Sequence, residues 1–224
     1  MDRLQIELDT IRRDLAELRP LVATDDVTGA YFIERVELAL ESMAGCILLA
    51  KAGLAFPLGI LARSLLEMNM GTFWAASMPE RAVDASGATA AEAIRNMKKL
   101  LVQGHGKIVN TKTGEDQTAM LLEAIEKKKP GPRKQIAEMA RECGLGRLYE
   151  RFYGIESMPA HGHNIGLTGN DADNKAIFAT MSASKAHLKA IHFTAAKWIR
   201  RDGEATTLAE LDAILKTGLV PPPE

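Results

Sequence analysis

The stretch "ILARSLLEMNMGTFWAA", residues 60–76, decides how this chain reads. At helical steps of about 100°, Arg63 and Glu67 share a sector with Ile60, Met70 and Trp74. Leu58, Ala62, Leu65 and Phe73 fill the opposite sector, so neither side is a plain solvent face. The segment therefore reads as a helix inside a bundle, carrying two charges into partial burial or onto a cleft. An isolated charge in a low dielectric is costly, so each must find partners. The two can bond each other across one turn. Arginine before glutamate is the weaker order for an i,i+4 pair, which makes surface stabilisation a poor explanation. A group from a neighbouring helix is expected to approach them.

Helical periodicity continues outward in both directions, and no run shows a period-two alternation. Leu4, Leu8, Ile11, Leu15 and Leu18 form a heptad seam that ends at Pro20. It suits either a helix lying on its own domain or a two-chain coiled coil, and in the second case it would make a homo-oligomer. After the turn "TDDVTG", a helix is expected from about Tyr31 to Lys51, and Pro79 should stop the third helix. "TAAEAIRNMKKLLVQ" reads as a fourth helix, followed by the loop "GHGKIVNTKTGED". "DQTAMLLEAIEKKK" and "RKQIAEMAREC" are two more, the latter capped by Gly144. "GLTGNDADN" reads as a loop before a long helix from about Lys175 to Arg201. Thr207 and Glu210 make a capping box for the last helix. The expected architecture is an all-α helical bundle, with a heptad helix over residues 1–20, a bundle domain over 28–202 and a helix with a proline-rich tail over 203–224.

Composition narrows the function classes. With 224 residues, 46% of them hydrophobic, the chain can bury a substantial core, and a net charge of −1 leaves no broad footprint for nucleic acid. The charged amino terminus shows no secretory signal, and charges in the most apolar stretch argue against a membrane span, so a cytoplasmic protein is expected. Cys46 and Cys143 read as buried hydrophobes in a reducing compartment.

Several motifs fail on spacing. "GHGKIVNT" lacks both the leading glycine and the metal-binding hydroxyl of a phosphate loop, since Leu101 and Ile108 stand there. No glutamate precedes a histidine by three, as di-metal bundles require. His161 and His163 diverge on a helix and could chelate together only in extended chain. His187 and His192 sit amid Leu188 and Ile191 and read as structural. "KKKPGPRK", residues 127–134, reads as a solvated linker. No metal and no cofactor is expected.

The partner for Arg63 and Glu67 is expected from "LYERFYGIESMPAHGHN". Tyr149, Tyr153, Ser157 and His161 recur every four residues as a polar ridge. Each joins an apolar body or short stem to a hydrogen-bonding tip, which suits a pocket lining. Pro159 frees the carbonyl of Ile155 and bends the chain before His161, and Gly154, Gly162 and Gly166 allow close approach.

An Arg-Ser-x-x-Glu helix followed by a distant Ser-x-x-x-His helix resembles a group of uncharacterised bacterial helical-bundle domains. Arg63, Ser64, Glu67, Ser157 and His161 carry that resemblance, which spans roughly residues 30–200. More distantly, the bundle is similar to HEPN domains, many of which are metal-independent RNases of bacterial toxin or defence systems. Those place arginine and histidine four to six residues apart on one helix. No arginine here meets that spacing, and Arg151 precedes His161 by ten. An equivalent site would have to draw its arginine from another helix.

Two classes of function follow. In an RNase-like enzyme, His161 would move protons, Arg63 would stabilise charge on phosphate, and Glu67 would orient either of them. Tyr153, Ser157, His163 and Asn164 would position the substrate. In a non-enzymatic interaction module, or one holding a small anionic ligand on Arg63, the same polar groups would form a buried specificity network.

Overall fold

The structure, a computed structural model, describes residues 2–127, 134–150, 170–201 and 203–218. It is an all-helical bundle, and the described residues hold no strand beyond one isolated bridge, Val109 to Asp116. The helices are α1 (Asp2–Leu18), α2 (Val27–Lys51), α3 (Ala55–Ala75), α4 (Pro79–Val102), α5 (Thr118–Lys127) and α6 (Ile136–Glu142), then α7 (Asn170–Arg200) and α8 (Leu208–Gly218). Residues 146–150 are also helical.

The chain divides into two compact units, one of Met1–Ala82 with Lys134–Glu224, the other of Val83–Arg133. In the first, α2, α3 and α7 pack on one another; α8 lies on α7, α6 on α3, and α1 on α7 and α2. Phe32, Val36 and Met43 of α2, Leu58, Leu65, Leu66 and Met70 of α3, and Leu188 and Ile191 of α7 are all buried where these helices pack. The indole of Trp198 lies 5.1 Å from the Phe32 ring.

The heptad seam is consumed inside this unit. Leu8, Ile11, Leu15 and Leu18 are buried within their own chain. Ion pairs reinforce the docking of α1 on α7. Glu7 meets Lys185 at 3.1 Å and Lys189 at 3.4 Å, and Asp14 meets His192 at 2.7 Å and also Arg200. The seam thus packs against its own chain.

Helix ends show where local chemistry outweighs periodicity. α2 begins four residues earlier than expected because the Asp26 carboxylate accepts from the Thr28 and Gly29 amides at 3.1 and 2.9 Å. A Cβ at Gly29 would fall 2.3 Å from Asp26 Oδ2, so a larger residue there would have to displace the capping carboxylate. Pro79 does not stop α3, which already ends at Ala75; it opens α4, where a missing N–H costs nothing. α4 therefore starts ten residues before the expected helix. α7 likewise begins at Asn170, within the expected loop. Gly144, with φ of +74°, ends α6 as expected. The capping box also forms: Thr207 Oγ1 accepts from the Glu210 amide at 3.2 Å, and Glu210 accepts from the Thr207 amide at 2.8 Å. Lys197 is drawn in beside it, bonding both Glu210 oxygens at 3.0 and 2.9 Å, and Glu204 at 2.9 Å.

In the second unit, the loop after α4 turns on Gly104 and Gly114, both at positive φ. Asn110 accepts from the backbone amides of Lys112 and Thr113, an Asx turn. Thr118 Oγ1 accepts from the Ile108 amide at 2.9 Å, tying the loop to the start of α5.

Candidate functional site

α3 brings Arg63 and Glu67 together as the spacing implies. Arg63 Nε donates to Glu67 Oε1 at 2.9 Å. Their side chains are 18% and 34% exposed, so the pair is half-buried, neither solvated nor sealed in the core. Helical rigidity fixes both stems, and the contact through Nε sets the plane of the guanidinium. On the opposite side of α3, Leu58, Ala62 and Leu65 are fully buried and lock the helix against its neighbours. One sector mate, Ile60, is exposed, whereas Met70 and Trp74 are buried.

Of the second half expected for this site, Tyr149 lies in the helical segment 146–150. Tyr153, Ser157, His161, His163 and Asn164 fall outside the described residues, as does most of the basic run at 127–134. Lys134, at the end of that run, pairs with Glu142 while keeping part of its side chain exposed.

Three other polar clusters emerge that periodicity does not reveal. The first lies in the core between α3 and α7. Asn69 Nδ2 donates to His187 Nδ1 at 3.2 Å, with Asn69 0% and His187 2% exposed. Burial pushes the imidazole down to about 4, so it is neutral at pH 7. Asn69 Oδ1 has no partner among the described residues. An asparagine within the apolar run of α3 and a histidine within that of α7 are each visible in sequence, but their pairing across 118 positions is not.

The second cluster gathers on Glu142 at the end of α6. Its carboxylate accepts from Lys134 at 2.5 Å and from Trp74 Nε1 at 2.7 Å, with Arg81 at 3.4 Å. Arg81 and Lys134 also flank the Trp74 ring, at 5.5 and 5.1 Å from its centre. The Lys134 and Trp74 bonds hold the Glu142 carboxyl below the usual range. Cys143 lies alongside, 3.9 Å from the Ser77 hydroxyl and 3.7 Å from Arg81, with burial raising its thiol. A neutral, enclosed thiol is a packing group and not a nucleophile. The third cluster, around Lys197, clamps α8. The Glu142 and Lys197 clusters are held by their own contacts, and all three read as structural. Among the described residues, no three His, Cys, Asp or Glu side chains converge as a metal-binding group.

The fold and site define a helical bundle with a half-buried Arg–Glu pair on its third helix. The chain belongs to DUF5677, a family of unknown function whose profile matches residues 36–176. That span holds Arg63, Glu67 and all of the sequence-derived partners, and omits α1. No curated protein and no solved structure matches the chain. No helix among the described residues is long and apolar enough to cross a membrane.

Proposed function

We propose that this protein is a metal-independent, RNase-like enzyme with a HEPN-like bundle, acting in the cytoplasm in a bacterial toxin or defence setting. Its site is assembled between helices from Arg63, Glu67 and His161. The observation that carries this reading is the 2.9 Å contact between Arg63 Nε and Glu67 Oε1 at a half-buried position. A guanidinium set in this way is prepared for a phosphate, whose developing charge it would stabilise. His161 supplies proton transfer, since an ordinary imidazole near pH 6.5 exchanges protons readily at neutrality. Tyr153, Ser157, His163 and Asn164 hold the strand in place.

The test is cleavage of a mixed-sequence RNA by the purified chain, by Arg63→Ala and by His161→Ala, with helicity checked by circular dichroism. Folded variants that lose cleavage by about a hundredfold or more support the enzyme. Retention of full cleavage by both variants ends it. The second reading, an interaction module that holds a small anionic ligand on Arg63, draws on the net charge of −1, which gives a long RNA little to follow. It is favoured if the wild type binds inorganic phosphate in an Arg63-dependent way yet cuts nothing.

A further inference from the structure

The stripe on α3 that carries the charged pair continues toward the start of the helix. Phe56, Ile60, Arg63 and Glu67 are spaced four, three and four apart, so steps of about 100° keep all four within about 60° of one another. Phe56 and Ile60 are 46% and 38% exposed, although both are large and apolar. At the same end of the α2–α3 hairpin, Leu48 and Leu54 are 67% and 48% exposed. The surface beside the ion pair is therefore apolar. Its charge leans to the cationic side: from Ser42 to Leu66 the charged residues are Lys51, which is exposed, and Arg63, with Glu67, the partner of Arg63, the acid that follows on the stripe.

An exposed aromatic in line with a fixed guanidinium matches one ligand chemistry well. The seven residues from Phe56 to Arg63 span about 10 Å of helix. A nucleotide step covers such a span from a stacked base to a neighbouring phosphate. Single-stranded nucleic acid is held by this combination of apolar or aromatic platforms and cationic backbone contacts. An anionic bilayer fits less well. A flat surface reaches the hairpin tip, but not a guanidinium whose side chain is 18% exposed on the flank of α3.

We propose that Phe56 and Ile60 form a base platform that seats a single strand of RNA with its phosphate on Arg63. The assignment rests on the reading of Arg63 as a phosphate-binding group, and it adds base stacking as the source of grip. It also explains how a chain with net charge of −1 could hold RNA: apolar contact replaces a broad basic footprint.

The experiment is fluorescence anisotropy on the full chain with two labelled ten-residue probes, oligoadenylate and an abasic strand carrying the same number of phosphates. The wild type should prefer oligoadenylate by about tenfold or more. Phe56→Ala should abolish that preference while leaving abasic binding within about twofold, Phe56→Trp should restore it, and Arg63→Ala should weaken both probes. Equal binding of the two probes by the wild type overturns the platform, as does an unchanged preference in Phe56→Ala. Phe56-dependent binding to phosphatidylserine vesicles without oligoadenylate binding also overturns it and assigns the face to lipid. Base preference reads the platform, and cleavage by Arg63→Ala and His161→Ala reads the catalytic proposal, so the two can fail separately.

Discussion

Asn69 and His187 meet at 3.2 Å in the sealed interface between α3 and α7, where the asparagine amide donates to Nδ1 of a neutral imidazole. That ring is the one histidine among the described residues that burial pushes far from its ordinary value, from 6.5 to about 4. In the unfolded chain it takes a proton near 6.5, while in the folded chain it resists until about 4. Unfolding therefore takes up a proton between those values. The stability this group supplies is complete above pH 6.5 and declines as the pH falls toward 4, by roughly 3 kcal/mol in all. Urea midpoints at pH 7, 5.5 and 4.5 should fall steeply for the wild type. His187→Gln should be less stable at pH 7 but visibly flatter across that window. Parallel profiles would show that the ring does not drive the acid sensitivity.

A second prediction concerns α1. Its seam is buried inside its own chain, so truncating it should cost stability and leave the oligomeric state unchanged. Leu15→Ala, at a position 6% exposed, should lose about 3 kcal/mol. Light scattering should give the same number of chains per particle with and without residues 1–20. A mass that halves on deletion would establish a dimer through the heptads. The ionic part of the docking should respond to acid. Burial pushes the Asp14 carboxyl up, but bonds from Arg200 and His192 outweigh it and hold the group below its ordinary 3.8. The contribution from Asp14 is therefore present above pH 3.8 and lost as the pH falls below it.

The C-terminal helix offers a third. Glu210 is held at about 2 by the Thr207 amide and then by Lys197, below its ordinary 4.5. Its contribution is present above pH 4.5 and is lost as the pH falls toward 2. Thr207→Ala removes one half of the capping box and should cost about 1 kcal/mol in thermal unfolding. Hydrogen exchange should place the loss in α8 first, because Lys197 and Glu204 still hold the preceding turn. Uniform loosening of α2 and α3 would contradict a local clamp.

These clusters mark where sequence reading succeeds and where it stops. The α3 pair, the Thr207–Glu210 box and the Gly144 cap are legible because each lies within four residues, inside the reach of helical geometry. The start of α4 is not, because Ala82 and Ala85 pack through small side chains that leave no apolar stripe for a periodic pattern to find. Pro79 misleads for a related reason: proline ends one helix and opens another equally well, and nearby residues do not decide which. Asn69–His187 and Trp74–Glu142 depend on elements brought together from 118 and 68 positions apart, information that lies in the packing of whole helices. The proposed site falls across this divide. Its α3 half follows from spacing alone, while the ridge from Tyr153 to Asn164 lies outside the described residues.

The last prediction separates positioning from stability at that site. Arg63 and Glu67 form a half-buried i,i+4 pair in the weaker order, and such pairs contribute about 0.5 kcal/mol or less to a fold. Glu67→Gln keeps an oxygen able to accept from Arg63 Nε while removing the charge, so it should melt within a few degrees of the wild type. If Glu67 sets the guanidinium for a phosphate, the same variant should still lose cleavage by about tenfold, through kcat more than KM. Glu67→Ala, which leaves the guanidinium without this acceptor, should lose more. A variant that melts far lower with its cleavage unchanged would make the pair scaffolding. A variant unchanged in both would remove Glu67 from the site and leave Arg63 to be held by its other contacts.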